Sequence, residues 1–168
     1  MLYTIQVSAH NEWESVKSCL LPGKCRIAPF GETFNHRIND AECVFFQGGS
    51  SKTRSAASCQ YAISRWKPDR HFIIGTQEGF IASADQDVDY ETRIKQQSEN
   101  VMVADWESGA ISLICKCNFI PVCIIRGVTD IPGNSSKECA SSQNKAYIKN
   151  TPLVTRKIYK KILEKIIC

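Results

Sequence analysis

Apolar and polar positions alternate from Leu2 to Ser8, a stretch rich in Ile, Val and Tyr, and this period of two predicts an opening strand. Asn11 offers an N-cap for a helix to about Leu20, which Pro22-Gly23 stops. Arg26 to Phe34 and Glu42 to Gln47 read as further strands, joined by a polar turn near Asn39-Asp40. Gly48-Gly49-Ser50-Ser51 leads into a helical stretch from Lys52 to Trp66, closed by Lys67-Pro68-Asp69. Phe72-Ile73-Ile74 then starts a buried strand that ends at Gly75.

The second half keeps the alternation without a sequence repeat. Strands are predicted at Phe80 to Ala84 and Val101 to Ala104, and helices at Tyr90 to Glu99 and Trp106 to Phe119. Val122 to Val128 is a continuous apolar run, the pattern of a strand covered on both faces. A loop rich in Gly, Asn and Ser (Pro132 to Asn144) precedes a last helix from about Pro152, with Val154, Ile158, Ile162 and Ile166 on one face. No linker divides the chain. The expectation is one three-layer α/β/α domain over residues 1–168 with a central sheet.

The 168 residues are 43% hydrophobic and 23% charged, which fits a globular domain and argues against disorder, collagen-like repeats or a coiled coil. No apolar run reaches the roughly 18 residues of a membrane span. Met1 to Glu12 has neither a basic n-region nor an apolar h-region, so the expected location is cytoplasmic, with no membrane partner. The net charge of +4 is confined to one end. Lys149 to Cys168 holds six basic residues against the single acid Glu164, so this segment carries +5 and the remainder sums to −1. That is the solvated face of a terminal helix, and no nucleic-acid partner is expected.

The nine cysteines are odd in number and show no Cys-x-x-Cys; no His-x-x-x-His accompanies them. Cys115 and Cys117 lie two apart in a predicted helix and point to different faces. They read as reduced thiols in apolar segments, and neither metal nor organic cofactor is expected.

In an open α/β sheet, ligands bind beyond the carboxyl ends of the strands. Glu12, the Gly75-Thr76-Gln77-Glu78-Gly79 loop, Asp105-Trp106-Glu107 and Thr129-Asp130 all fall at such ends. Each acid alone could be a helix cap or a solvated loop residue. Carboxylates gathered in one crevice, however, raise each other's pKa, as acid–base work near neutral pH requires.

Val103-Ala-Asp-Trp-Glu-Ser-Gly-Ala-Ile111 followed by Ile124-Ile-Arg-Gly-Val-Thr-Asp130 resembles the purine nucleoside phosphorylase and methylthioadenosine/S-adenosylhomocysteine nucleosidase superfamily. The nucleosidases have a Val-Glu-Met-Glu segment, a helix, and an apolar strand ending Arg-Ala-Ile-Ser-Asp. Gly49 to Gly79 is similar as well, through Lys52, Lys67-Pro68-Asp69 and a loop in place of Gly-Ser-Ala-Gly-Gly, and Met1 to Glu12 resembles the family's first strand and acidic turn. The resemblance implies a phosphorylase-like fold with a central mixed sheet, abbreviated between Phe80 and Ile81 where the family carries a segment of sheet and subunit interface.

Carried over by position, it implies that Asp130 is the general acid at purine N7, with Thr129 beside it in place of a serine. Glu107 would hold the ribose hydroxyls, and Glu12, rather than Glu14, would orient the attacking water. Trp106 stands where the family has a methionine under the sugar, and its indole could face a developing oxocarbenium ion. Substrate contacts are further implied for Thr76, Arg126 and Asp85, and a homodimer for the assembly. The expected function is hydrolysis of the N-glycosidic bond of a purine nucleoside, a small-molecule substrate. Two alternatives stay open: phosphorolysis, for which Lys52 and Arg54 at a helix N-terminus are the candidate phosphate ligands, and a nucleoside-binding relative without catalysis. Asp87 stands at the family's base-stacking position and cannot stack, and Gln77 and Glu78 make the glycine loop bulkier.

Overall fold

The structure, a computed structural model, describes residues 1–74, 80–84, 88–129 and 145–167. Its first half runs through β1 (Leu2–Val7), α1 (His10–Leu20), β2 (Arg26–Ala28), β3 (Gly31–Ile38), β4 (Ala41–Gln47), α2 (Lys52–Trp66) and β5 (Arg70–Ile74). The second half adds β6 (Phe80–Ser83), α3 (Tyr90–Ser98), β7 (Val101–Asp105), α4 (Ser108–Cys117), β8 (Val122–Ile125) and α5 (Lys145–Ile167).

Six strands form a mixed sheet in the order β2-β3-β4-β1-β5-β8. β1 is parallel to both β4 and β5, and β5 is parallel to β8, while β2, β3 and β4 meander antiparallel. β6 and β7 pair with each other as a separate parallel two-stranded sheet. The Phe80/Ile81 junction falls inside β6, at a register shift.

The period of two along β1 divides the core. Tyr3, Ile5 and Val7 pack on one face with Trp13 and Val16 of α1 and Ile158 and Ile162 of α5. Thr4 and Gln6 face the other way, where the Gln6 amide donates to Ser55 O and Ser58 Oγ of α2, both at 3.1 Å. Cys59 and Ile63 of α2 join Ile111 and Cys115 of α4 on this second face against Ile73. Helices on both faces of a mixed sheet make the expected three-layer α/β/α fold. Among the described residues, no helix is long and apolar enough to cross a membrane.

Several boundaries differ from the sequence pattern. Arg26 to Phe34, expected as one strand, is the hairpin of β2 and β3 turning at Pro29-Phe30. Pro29 has no N–H to donate to a ladder, and Gly31 takes φ 149°, where a Cβ would meet Gln47 Oε1 at 2.7 Å. α1 starts one residue before Asn11 with Ala9 as its cap, so Asn11 is inside the helix and its carbonyl accepts the Ser15 hydroxyl. α5 begins at Lys145, seven positions ahead of the expected start, and carries Pro152 in its interior. Thr151 Oγ1 donates to Tyr147 O at 2.6 Å beside this break in the helix ladder. β8 stops at Ile125 instead of Val128 because the next residue, Arg126, turns into a buried polar cluster.

Candidate active site

The carboxyl ends of β1, β4, β7 and β8 deliver their following residues to one edge of the molecule. Glu12 lies in the first turn of α1, and its carboxylate accepts the Ala9 N–H at 3.2 Å. Its pKa is raised by burial first of all; the Arg126 guanidinium and the Ala9 N–H oppose that shift, and the Asp105 carboxylate adds to it.

Glu107 follows β7 and is buried. Its carboxylate accepts the Ser51 N–H at 3.2 Å and lies 3.7 Å from the Arg126 guanidinium. Burial again raises the pKa as the largest cause, Arg126 and the Ser51 N–H lower it, and Glu12 and Asp105 raise it. Glu12 and Glu107 thus feel the same guanidinium and the same neighbouring carboxylate. That is the signature of a shared crevice, not of two separate surface acids.

Arg126 is the hub. Its Nη2 is 2.6 Å from Asp105 Oδ2, and its Nε and Nη2 donate to Ser108 Oγ at 3.1 and 3.0 Å. Asp105 also accepts the Ser108 N–H at 3.2 Å and the Ser108 hydroxyl. A planar guanidinium with several fixed donors suits such a buried cluster better than a lysine could. Ser108 opens α4, and the next residue, Gly109, donates its N–H to Ser83 Oγ of β6 at 3.2 Å. The two sheets are therefore tied together where the acids converge.

The structure brings together Glu12, Glu107 and Arg126 of the sequence-predicted set. Trp106, between Asp105 and Glu107, is 40% exposed, so its indole is open to solvent at this edge. The Thr129 carbonyl accepts Asn150 Nδ2 of α5 at 2.8 Å, which ties Thr129 to that helix. Thr76, Asp85 and Asp130, with Gln77, Glu78 and Asp87, lie outside the described residues. Lys52 and Arg54 stand in the first turn of α2, with the exposed Arg54 lying over Gly49. At that helix N-terminus the Ser51 N–H is already occupied by the Glu107 carboxylate. Sequence reasoning gave no role to Asp105 or Ser108. Asp105 stood among the strand-end acids, but nothing local in the chain shows that its partner is the arginine that follows a strand of the other sheet.

A second convergence lies on the α2/α4 face of the sheet. Cys59, His71 and Cys115 are buried, and one ligand atom from each lies within 4.8 Å of the other two.

No family model matches the chain, and no curated protein matches it in sequence. Solved structures do match. Futalosine hydrolase of Helicobacter pylori superposes with a TM-score of 0.78 at 11% identity, over 98% of each chain. S-adenosylhomocysteine nucleosidase of Streptococcus pyogenes, in complex with 5-methylthiotubericidin, gives 0.78 at 13% identity, over 97% of this chain and 94% of that one. The MTA/SAH nucleosidase of Streptococcus pneumoniae, in complex with 8-aminoadenine, gives 0.77 at 15% identity over 97% of each. The resemblance to the nucleoside phosphorylase/nucleosidase superfamily holds at the level of the fold.

Proposed function

We propose that this chain, built on the fold of the nucleosidases, hydrolyses the N-glycosidic bond of a purine nucleoside of the methylthioadenosine or S-adenosylhomocysteine type. The observation that carries the reading is the placement of Glu12 and Glu107 about one buried guanidinium at the carboxyl edge of the strands. Two carboxylates with raised pKa and a neutralising arginine suit a reaction in which positive charge develops on a sugar.

In this reading the C1′–N9 bond breaks with its electron pair passing to the base, and Asp130 donates a proton to N7 so that the base leaves neutral. Water attacks C1′ and gives a proton to Glu12. Glu107 accepts hydrogen bonds from the 2′ and 3′ hydroxyls, fixing the ribose, and Trp106 lies under the sugar. Arg126 and Asp105 position the carboxylates; Thr129, Thr76 and Asp85 complete the substrate contacts. Water is favoured over phosphate because the Glu107 carboxylate already holds the Ser51 N–H that an anion beside Lys52 and Arg54 would use. A cytoplasmic homodimer completes the proposal, and sedimentation velocity tests its assembly.

The test is release of free adenine from methylthioadenosine with and without phosphate, using Asp130→Asn and Glu12→Gln as controls. Phosphate-independent release that both variants lose is the expected outcome. Release only with phosphate would reassign the reaction as phosphorolysis. No release by folded protein in either buffer would leave a nucleoside-binding relative.

A further inference from the structure

The cluster of Cys59, His71 and Cys115 takes no part in the carboxylate site or in the proposed reaction. The three residues come from α2, β5 and α4, and each is 0% exposed. Their ligand atoms converge within 4.8 Å of one another. The two sulfurs are 3.7 Å apart, far beyond the roughly 2.05 Å of a disulfide bond, so both are thiols. Two thiolates each about 2.3 Å from a tetrahedral zinc ion would lie about 3.8 Å apart. The observed separation is therefore already that of a zinc-bound pair.

The histidine supplies the independent sign. Its Nδ1 is 2.8 Å from Thr4 Oγ1, the residue beside it on the neighbouring strand, whereas Nε2 is buried with no hydrogen-bond partner among the described residues. A buried polar nitrogen without a partner is a costly feature. If Nδ1–H donates to Thr4, the Nε2 lone pair is free. An outer hydrogen bond of this kind commonly fixes the tautomer of a metal-ligating histidine. Ile63, Ile73 and Ile111 pack around the two thiols.

We propose that Cys59, His71 and Cys115 bind a zinc ion, with a water molecule in the fourth tetrahedral position. Charge favours a divalent ion: two thiolates and a neutral imidazole with Zn²⁺ sum to zero, whereas Cu⁺ would leave a net negative charge in a fully buried place. On binding, two Zn–S bonds form and each thiol releases its proton to solvent, with no change of oxidation state. The ion would pin α2 and α4 to β5. Those two helices start at Lys52, next to Ser51, and at Ser108, next to Glu107, so the site would also brace the Ser51–Glu107 hydrogen bond. The proposal does not rest on the proposed reaction.

Reduced full-length protein, stripped with a chelator and reloaded with Zn²⁺, tests it after desalting. One zinc per chain, release of two protons per zinc and a raised Tm are expected, with a thiolate-to-cobalt charge-transfer band when Co²⁺ replaces Zn²⁺. A Cys59→Ser/Cys115→Ser double variant should lose the metal and the band, while Cys117→Ser, an exposed cysteine, should keep both. Wild-type protein that holds no stoichiometric zinc, or a double variant that still holds it, would overturn the site. Loading by Cu⁺ but not Zn²⁺ would overturn the zinc assignment. The wild-type cobalt spectrum and proton count need no variant, so misfolding of the double variant leaves the test intact.

Discussion

Arg126 Nη2 lies 2.6 Å from Asp105 Oδ2, with both side chains only 8% exposed. Asp105 ends β7 in the two-stranded sheet, and Arg126 directly follows β8 in the six-stranded one, so this pair couples the two sheets. Replacing Arg126 by Met removes a cation that acts on Asp105, Glu12 and Glu107 together. Truncating one partner of a buried pair costs about 3–5 kcal/mol, because the remaining charge is left uncompensated. Urea unfolding should show a loss of that size for Arg126→Met, partly recovered in the Arg126→Met/Asp105→Asn double variant. A loss under about 1 kcal/mol would mean that the pair behaves as a solvated one.

Glu107 presents the test of ribose binding. Glu107→Gln keeps the shape of the side chain and removes its charge. Each charge-assisted hydrogen bond to a ribose hydroxyl is worth about 1.5–3 kcal/mol, so kcat/KM should fall about ten- to a hundredfold for each bond weakened. The decisive comparison uses a 2′-deoxynucleoside, which already lacks one of the hydroxyls. The penalty of the variant should shrink on that substrate. An equal penalty on both substrates would remove Glu107 from the ribose and leave it as a positioning residue for Ser51.

Much of this arrangement was legible in the chain because it is local. The alternation of β1, the glycine turn before α2 and the apolar run of β8 set the three-layer fold, and Glu12 and Glu107 could be placed at strand ends, whereas Arg126 fell inside the expected strand Val122 to Val128 and took a role only from the family resemblance. The misreadings have local causes too. A proline–glycine turn lies inside Arg26 to Phe34, and the helix expected from about Pro152 runs through that proline from Lys145. What spacing could not reveal is what topology assembles. Cys59 and Cys115 are 56 positions apart, and His71 reaches them from a third element, so no metal-ligand pattern exists along the chain. The Asp105–Arg126 pair was invisible for the same reason: it joins two sheets.

Gly48 lies where β4 passes into the turn before α2, and its N–H donates to Val7 O at 2.8 Å. A side chain there would overlap the Gln6 amide. That amide bridges β1 to α2 through Ser55 and Ser58, so it has little freedom to give way. Gly48→Ala should therefore destabilise the protein by about 1–3 kcal/mol, the usual cost of overpacking. It should also displace the Ser51 N–H from Glu107. Thermal unfolding reads the first effect and the KM for nucleoside the second. An unchanged Tm would show that the turn adjusts without moving the helix.

The raised pKa values of Glu12 and Glu107 have a definite sign for stability. Both carboxyl groups hold their protons more tightly in the folded chain than at the ordinary value of 4.5. Between 4.5 and the raised value the folded state binds more protons than the unfolded state, so stability falls as pH rises through that window. Above it the penalty of keeping two buried carboxylates ionised is fully present. Urea midpoints measured from pH 4 upward should show this decline, and Glu12→Gln and Glu107→Gln should each flatten it. The proposed reaction has the opposite dependence, since Glu12 must be ionised to take a proton from water. Activity should therefore rise with pH across the same window in which stability falls. Stability and activity that rise together would separate the titrating group from Glu12 and move the base elsewhere in the site.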